Sequence, residues 1–171
     1  MVVTEPIYKT AFIGLDNINL SKLDRVISRC VNEKYTIVGL SNKSDREDEK
    51  DFVNRQSKVM LNKDNRYKIN NIYGGIESEK MLIMHPAFYS LFDGKFKDTR
   101  RPEERNLIPE PPIVRFNSFM MPSTGAIEYF RFTHEYSTND RDEIFIGNDE
   151  DDHQCAKRAN IKFINSQDWS Y

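Results

Sequence analysis

The chain has 171 residues, 38% hydrophobic and 12% aromatic, which suits a single domain over residues 1–171 with its own core and excludes a disordered chain. Lysine and arginine number 25 against 27 acidic residues, a net charge of −2. That balance shows no long basic stripe for nucleic acid and gives little repulsion between copies. Two cysteines, Cys30 and Cys155, make no disulfide framework. No leader opens the sequence and no apolar run reaches membrane length, so a soluble intracellular protein is expected.

In chain order, residues 8–14 (YKTAFIG) read as a short strand stopped by glycine. Leu20, Leu23, Ile27 and Cys30/Val31 then recur at helical spacing, which predicts a helix over about 20–33 with one apolar face. Ser21 to Asp24 resembles a capping box, with Asp in place of the usual Glu. Residues 35–40 (YTIVGL) read as a strand, and 41–51 (SNKSDREDEKD) as a solvated charged connector. The stretch 52–61 is ambiguous. Residues 66–73 alternate weakly and meet Gly74-Gly75, read as a tight reversal. Residues 80–85 (KMLIMH) suit a buried strand, and Asp93-Gly94 is a turn signal. Prolines 102, 109, 111 and 112 predict a long irregular connection over 95–112.

Further strands are expected at 113–120, 126–133, 143–147 and 158–164. The densest aromatic run is 127–137 (IEYFRFTHEYS). Its β-propensity and flanking turn signals make it a central strand, with Phe130 and Phe132 both buried. Many short strands, one helix and frequent turns predict an α+β, mainly β fold: an antiparallel β-sandwich with a helix near the N-terminus.

The chemistry is sparse. His153 lies in an acidic run, 148–155, with many metal-ligating side chains, but the spacing fits neither a calcium loop nor a zinc site, and the run reads as a solvated acidic turn. His134-Glu135 could serve as a base and its orienting carboxylate, yet no Gly-flanked serine or exposed cysteine offers a nucleophile. No Gly-rich loop cradles a phosphate. Accordingly no enzyme activity, no cofactor and no metal are expected from the residues.

Tyr129-Phe130, with His134-Glu135-Tyr136-Ser137 three residues on, resembles a segment of cypovirus polyhedrins. Asn71-Ile-Tyr-Gly-Gly75, followed by a charged patch and an apolar strand, is similar to a second segment of that family. The resemblance spans roughly residues 70 to 137. It implies a β-sandwich that forms homotrimers and then a crystal lattice in the cytoplasm of the infected cell. The lattice would be a viral occlusion body that embeds and protects virus particles. On that reading the partners are the chain itself and virions, with no membrane and no nucleic acid. Tyr73, Tyr129, His134, Glu135 and Tyr136 become the candidate contact and pH-release residues. Joint titration of tyrosine and lysine, between about pH 10 and 11, would dissolve the lattice in an alkaline insect gut. The alternative is a small soluble viral enzyme or host-interaction protein using His134 and Glu135.

Overall fold

The computed structural model describes residues 8–60, 68–85, 89–92, 95–98, 106–107, 116–134 and 141–169. Strand β1 (Tyr8–Gly14) leads through helix α1 (Leu20–Asn32) to β2 (Thr36–Asn42). Helix α2 (Glu49–Met60) then leads to β3 (Asn71–Glu77), and β4 (Lys80–Met84) folds back beside it. Strands β5 (Tyr89–Phe92) and β6 (Lys95–Asp98) pair with each other, and β7 (Asn106–Leu107) adds to β4. Helix α3 (Gly125–His134), β8 (Arg141–Gly147), α4 (Glu150–Arg158), β9 (Lys162–Asn165) and the short α5 (Ser166–Trp169) complete the order.

Seven strands form one mixed sheet, ordered β7-β4-β3-β2-β1-β8-β9. β3, β2, β1, β8 and β9 run parallel; at one edge β4 pairs antiparallel with β3, and β7 pairs antiparallel with β4. From β1 the chain steps outward to β2 and β3. It later returns to the other side of β1 and steps outward again through β8 and β9. Parallel crossovers are right-handed, so steps in opposite directions place their helices on opposite faces.

The core divides accordingly. On one face Ala11, Ile13, Ile37, Ile72, Ile144 and Ile146 pack beneath Leu23, Val26, Ile27, Phe52 and Trp169, from α1, α2 and α5. On the other, Phe12, Val38, Leu40, Tyr73 and Phe145 meet Ala126, Ile127, Phe130, Cys155 and Ala156 of α3 and α4. Alternate residues of β1 and β8 therefore bury apolar groups on both sides, as a covered parallel sheet requires.

This architecture corrects the expected antiparallel β-sandwich: the fold is three-layered α/β, with a mostly parallel sheet between helices. The main local error is at 125–134, which is helix and not the central strand. Thr124 Oγ1 donates to the Glu128 carboxylate at 2.8 Å, closing the first turn, and helical spacing puts Ala126, Ile127 and Phe130 on one face. Phe130 is buried edge-on against Phe12, with ring centroids 5.4 Å apart. Phe132 is 54% exposed, so the expectation that both rings are buried holds only for Phe130.

Other differences are smaller. The cap of α1 is Asn19, whose side chain accepts from Lys22 N, and not the Ser21 to Asp24 box. Gly74 and Gly75 lie inside β3 and do not reverse the chain. Residues 116–120 are irregular, not strand. The acidic run after 148 opens α4 and is not a solvated turn. The expected turn at Asp93-Gly94 lies outside the described residues. Strands β1, β2, β4 and β8 and helix α1 fall where the sequence puts them.

Candidate functional site at the strand-order reversal

The sheet order reverses between β1 and β8, and the loops leaving their carboxyl ends diverge to opposite faces. In open α/β sheets this divergence opens a crevice. Here each strand ends in a glycine followed closely by polar residues: Gly14-Leu-Asp16-Asn17 after β1 and Gly147-Asn148-Asp149 after β8.

Asp152 lies beneath the ends of both strands. It lies in the first turn of α4 and is only 4% exposed. Its carboxyl packs against Gly14 and Gly147, and a Cβ at either position would overlap it. Both glycines are thus required by close approach, not by backbone angle. The carboxyl accepts from Asn148 N at 3.1 Å, while Asp152 N donates to Asp149 Oδ1 at 2.9 Å. The two aspartates cap the helix reciprocally. Burial outweighs those hydrogen bonds and raises the Asp152 pKa to about 7, with Asp149 and Asp16 adding repulsion.

The rim is linked across the reversal. Asn17 Nδ2 donates to Asp149 Oδ2, and Asn148 Nδ2 donates to the Asn17 carbonyl at 2.8 Å. Buried Ser166, just beyond β9, donates to Asn148 Oδ1.

A second polar group stands beside it at the end of β2. Asp16 accepts from Ser41 Oγ, from Asn42 N at 2.9 Å and from Arg55 Nη1 at 2.9 Å. Arg55 also holds Glu47 at 2.7 Å, and that hydrogen bond lowers the Glu47 pKa. Gln56, fully buried on α2, donates to Ser41 Oγ at 2.7 Å. Because Ser41 gives its own proton to Asp16, the amide of Gln56 must present nitrogen there, and its Oε1 is left without a partner. Asn42 reaches outward and pairs with the backbone of Met121 through both amide atoms, at 2.8 and 2.9 Å. That pairing ties the loop before α3 to the end of β2.

Of the residues singled out from sequence, those described lie elsewhere. Tyr73 is buried in β3, and Tyr129 on α3 meets it edge-on with ring centroids 6.1 Å apart. Burial raises the Tyr129 pKa. His134 ends α3, where its Nδ1 lies 2.9 Å from the Phe130 carbonyl and its ring packs on Phe130 at 4.1 Å. Glu135 and Tyr136 lie outside the described residues. Burial pushes the Cys30 thiol up to about 11 and the Cys155 thiol up to about 12, so neither is a thiolate nucleophile near neutrality. Among the described residues no three His, Cys, Asp or Glu side chains converge as metal ligands, and no helix is long and apolar enough to cross a membrane.

The signal for the crevice was the repeated pattern of an apolar run, a glycine and a polar pair ahead of a helix, at 11–17 and 144–149. Read from sequence, the first is only a strand stop and the second a strand running into a solvated acidic turn. Comparison of the chain with family models, with curated proteins and with solved structures gives no match.

Proposed function

We propose that this chain is a small-ligand-binding α/β protein whose site is the crevice outside the carboxyl ends of β1 and β8. The observation that supports this reading is the polar rim of Asp16, Asn17, Asn148 and Asp149 set over buried Asp152 where the strand order reverses. The warrant is architectural, since ligands of open α/β sheets gather at this position.

The donors and acceptors narrow the ligand. Amide and carboxylate groups on the rim match hydroxyls and amines. Glu150, Asp151 and Asp152 occupy the first turn of α4, and the Asp149 side chain already takes the Asp152 N–H. That helix start therefore repels a phosphate. The ligand class is a neutral polyol, such as a sugar, or an amine.

The test is amide chemical-shift mapping with a panel of monosaccharides and polyamines. A saturating ligand should move residues 16–17 and 148–149, and Asn148→Ala should abolish its binding. If no panel member moves these amides, the reading fails. The lattice role implied by the polyhedrin resemblance is the competing proposal. Its β-sandwich is not the observed fold, and the residues that carry it lie largely in β3 and α3. Faceted cytoplasmic crystals in cells expressing the chain would favour it over ligand binding.

A further inference from the structure

A second concavity lies between α4 and the edge strand β9. The side of this helix that faces the sheet presents Asp152, Cys155 and Ala156, all buried. The flank towards β9 presents His153 and Lys157, one helical turn apart and both exposed. Together with Asn160, Ile161, Lys162 and Phe163 they line a cleft of about 410 Å³, within the size range of small-molecule sites.

The lining has three chemical parts. Ile161 is buried and half-buried Phe163 is apolar, which gives a hydrophobic floor. The His153 ring lies stacked on Phe163, with centroids 4.7 Å apart and planes 23° from parallel. This stack makes a flat aromatic wall. Lys157 on the helix and Lys162 on β9 are both exposed, and the lining includes no carboxylate. Asn160 takes the left-handed conformation at φ 59°, and its N–H donates to the Lys157 carbonyl at 3.1 Å. That turn brings the chain directly from α4 into β9, so the two lysines stand on adjoining walls of one cleft. A paired cationic, aromatic-walled hollow contrasts with a chain of net charge −2.

We propose that the cleft between α4 and β9 binds a small planar organic anion, its charge held by Lys157 and Lys162 and its ring laid against the His153–Phe163 stack. The chemistry is additive. Lysine ammonium groups hold a phosphate or carboxylate as point charges. The aromatic wall adds stacking that a bare inorganic anion cannot use. Binding here does not disturb the crevice, because the buried side of α4 is left unchanged.

The experiment uses the full chain and three probes: phenyl phosphate, inorganic phosphate and phenol, each followed by amide chemical-shift mapping. Phenyl phosphate should move residues 153, 157 and 160–163 with saturation in the millimolar range, and should bind more tightly than either other probe. The Lys157→Ala/Lys162→Ala double variant should weaken it about tenfold, with the unperturbed remainder of the spectrum reporting an intact fold. Phe163→Leu should reduce its advantage over inorganic phosphate. Equal binding of phenyl phosphate and inorganic phosphate would overturn the aromatic part of the proposal. Shifts confined to the crevice, or unchanged affinity in the double variant, would overturn the site itself.

Discussion

Replacing Asp152 by Asn isolates the electrostatic cost of closing the crevice floor. Burial lifts this carboxyl from its ordinary 3.8 to about 7. About three pKa units at 1.36 kcal/mol each give about 4 kcal/mol. The sign follows from proton linkage: the folded protein holds the Asp152 proton more tightly than the unfolded chain does. Its contribution is complete below 3.8, falls as pH rises towards about 7, and is lost above that. Asparagine keeps the shape, keeps an acceptor for Asn148 N and has no charge to desolvate. Urea unfolding across this range should show wild-type stability declining from about pH 4 to about pH 7 by more than the variant's, with the two closest at the acid end. Near pH 8 the variant should be the more stable by up to about 4 kcal/mol, with unchanged denaturant slope. Asp16 and Asp149, the carboxylates facing Asp152, are present in both proteins and do not account for a difference between them. Parallel stability curves, or a variant weaker at alkaline pH, would refute the reasoning and leave Asp152 a solvated cap.

Two further substitutions test the layers around the sheet. Phe130→Ala should cost about 3–5 kcal/mol, while Phe132→Ala on the exposed side of α3 should cost less than about 1 kcal/mol. A strand with both rings buried would give two large losses in the same denaturation assay. Arg131→Ala strips a 2.6 Å ion pair from Glu143, whose side chain is 7% exposed, and should cost about 3 kcal/mol. Adding Glu143→Gln should restore part of that loss, because it removes the buried negative charge that Arg131 balances.

The parts of the fold legible in the sequence are those where pattern and burial coincide. α1 buries Leu23, Val26, Ile27 and Cys30 along one stripe, and its periodicity shows it plainly. β1, β2 and β8 are runs such as TAFIG and EIFIG, apolar at successive positions. Such runs mark strands covered on both faces, and the helices needed to cover them were underestimated. α4 hid because it is short and buries only Asp152, Cys155 and Ala156, so its sequence EDDHQCAKR has almost no apolar stripe. α3 hid because its aromatic residues favour strands when isolated, whereas packing of Phe130 against Phe12 and Tyr73 decides for helix here. With α2 read as a connector and an ambiguous stretch, and α3 and α4 not read as helices, a sheet facing a second sheet is the remaining solution. The crevice was then invisible, because it exists only where βαβ units wind in opposite directions.

The same winding explains why the polar residues sit where they do. Among the described residues the buried polar and charged side chains are Thr10, Ser41, Gln56, Thr124, Asp152 and Ser166. Ser41, Gln56, Asp152 and Ser166 all belong to the networks beyond the carboxyl ends of the parallel strands. A closed sheet needs no such concentration, since buried polar groups cost stability unless fully paired. At the reversal the diverging loops leave strand-end amides without a neighbouring strand, and Asp152 supplies the missing acceptor for Asn148 N. The remaining ties, Asn17 to Asp149 and Asn148 to Asn17, are side-chain bonds between two loops and not ladder bonds of the sheet. A ligand carrying its own hydroxyls or amines can exchange with those rim bonds one for one. The floor, fixed by two glycines and a helix start, would not have to move.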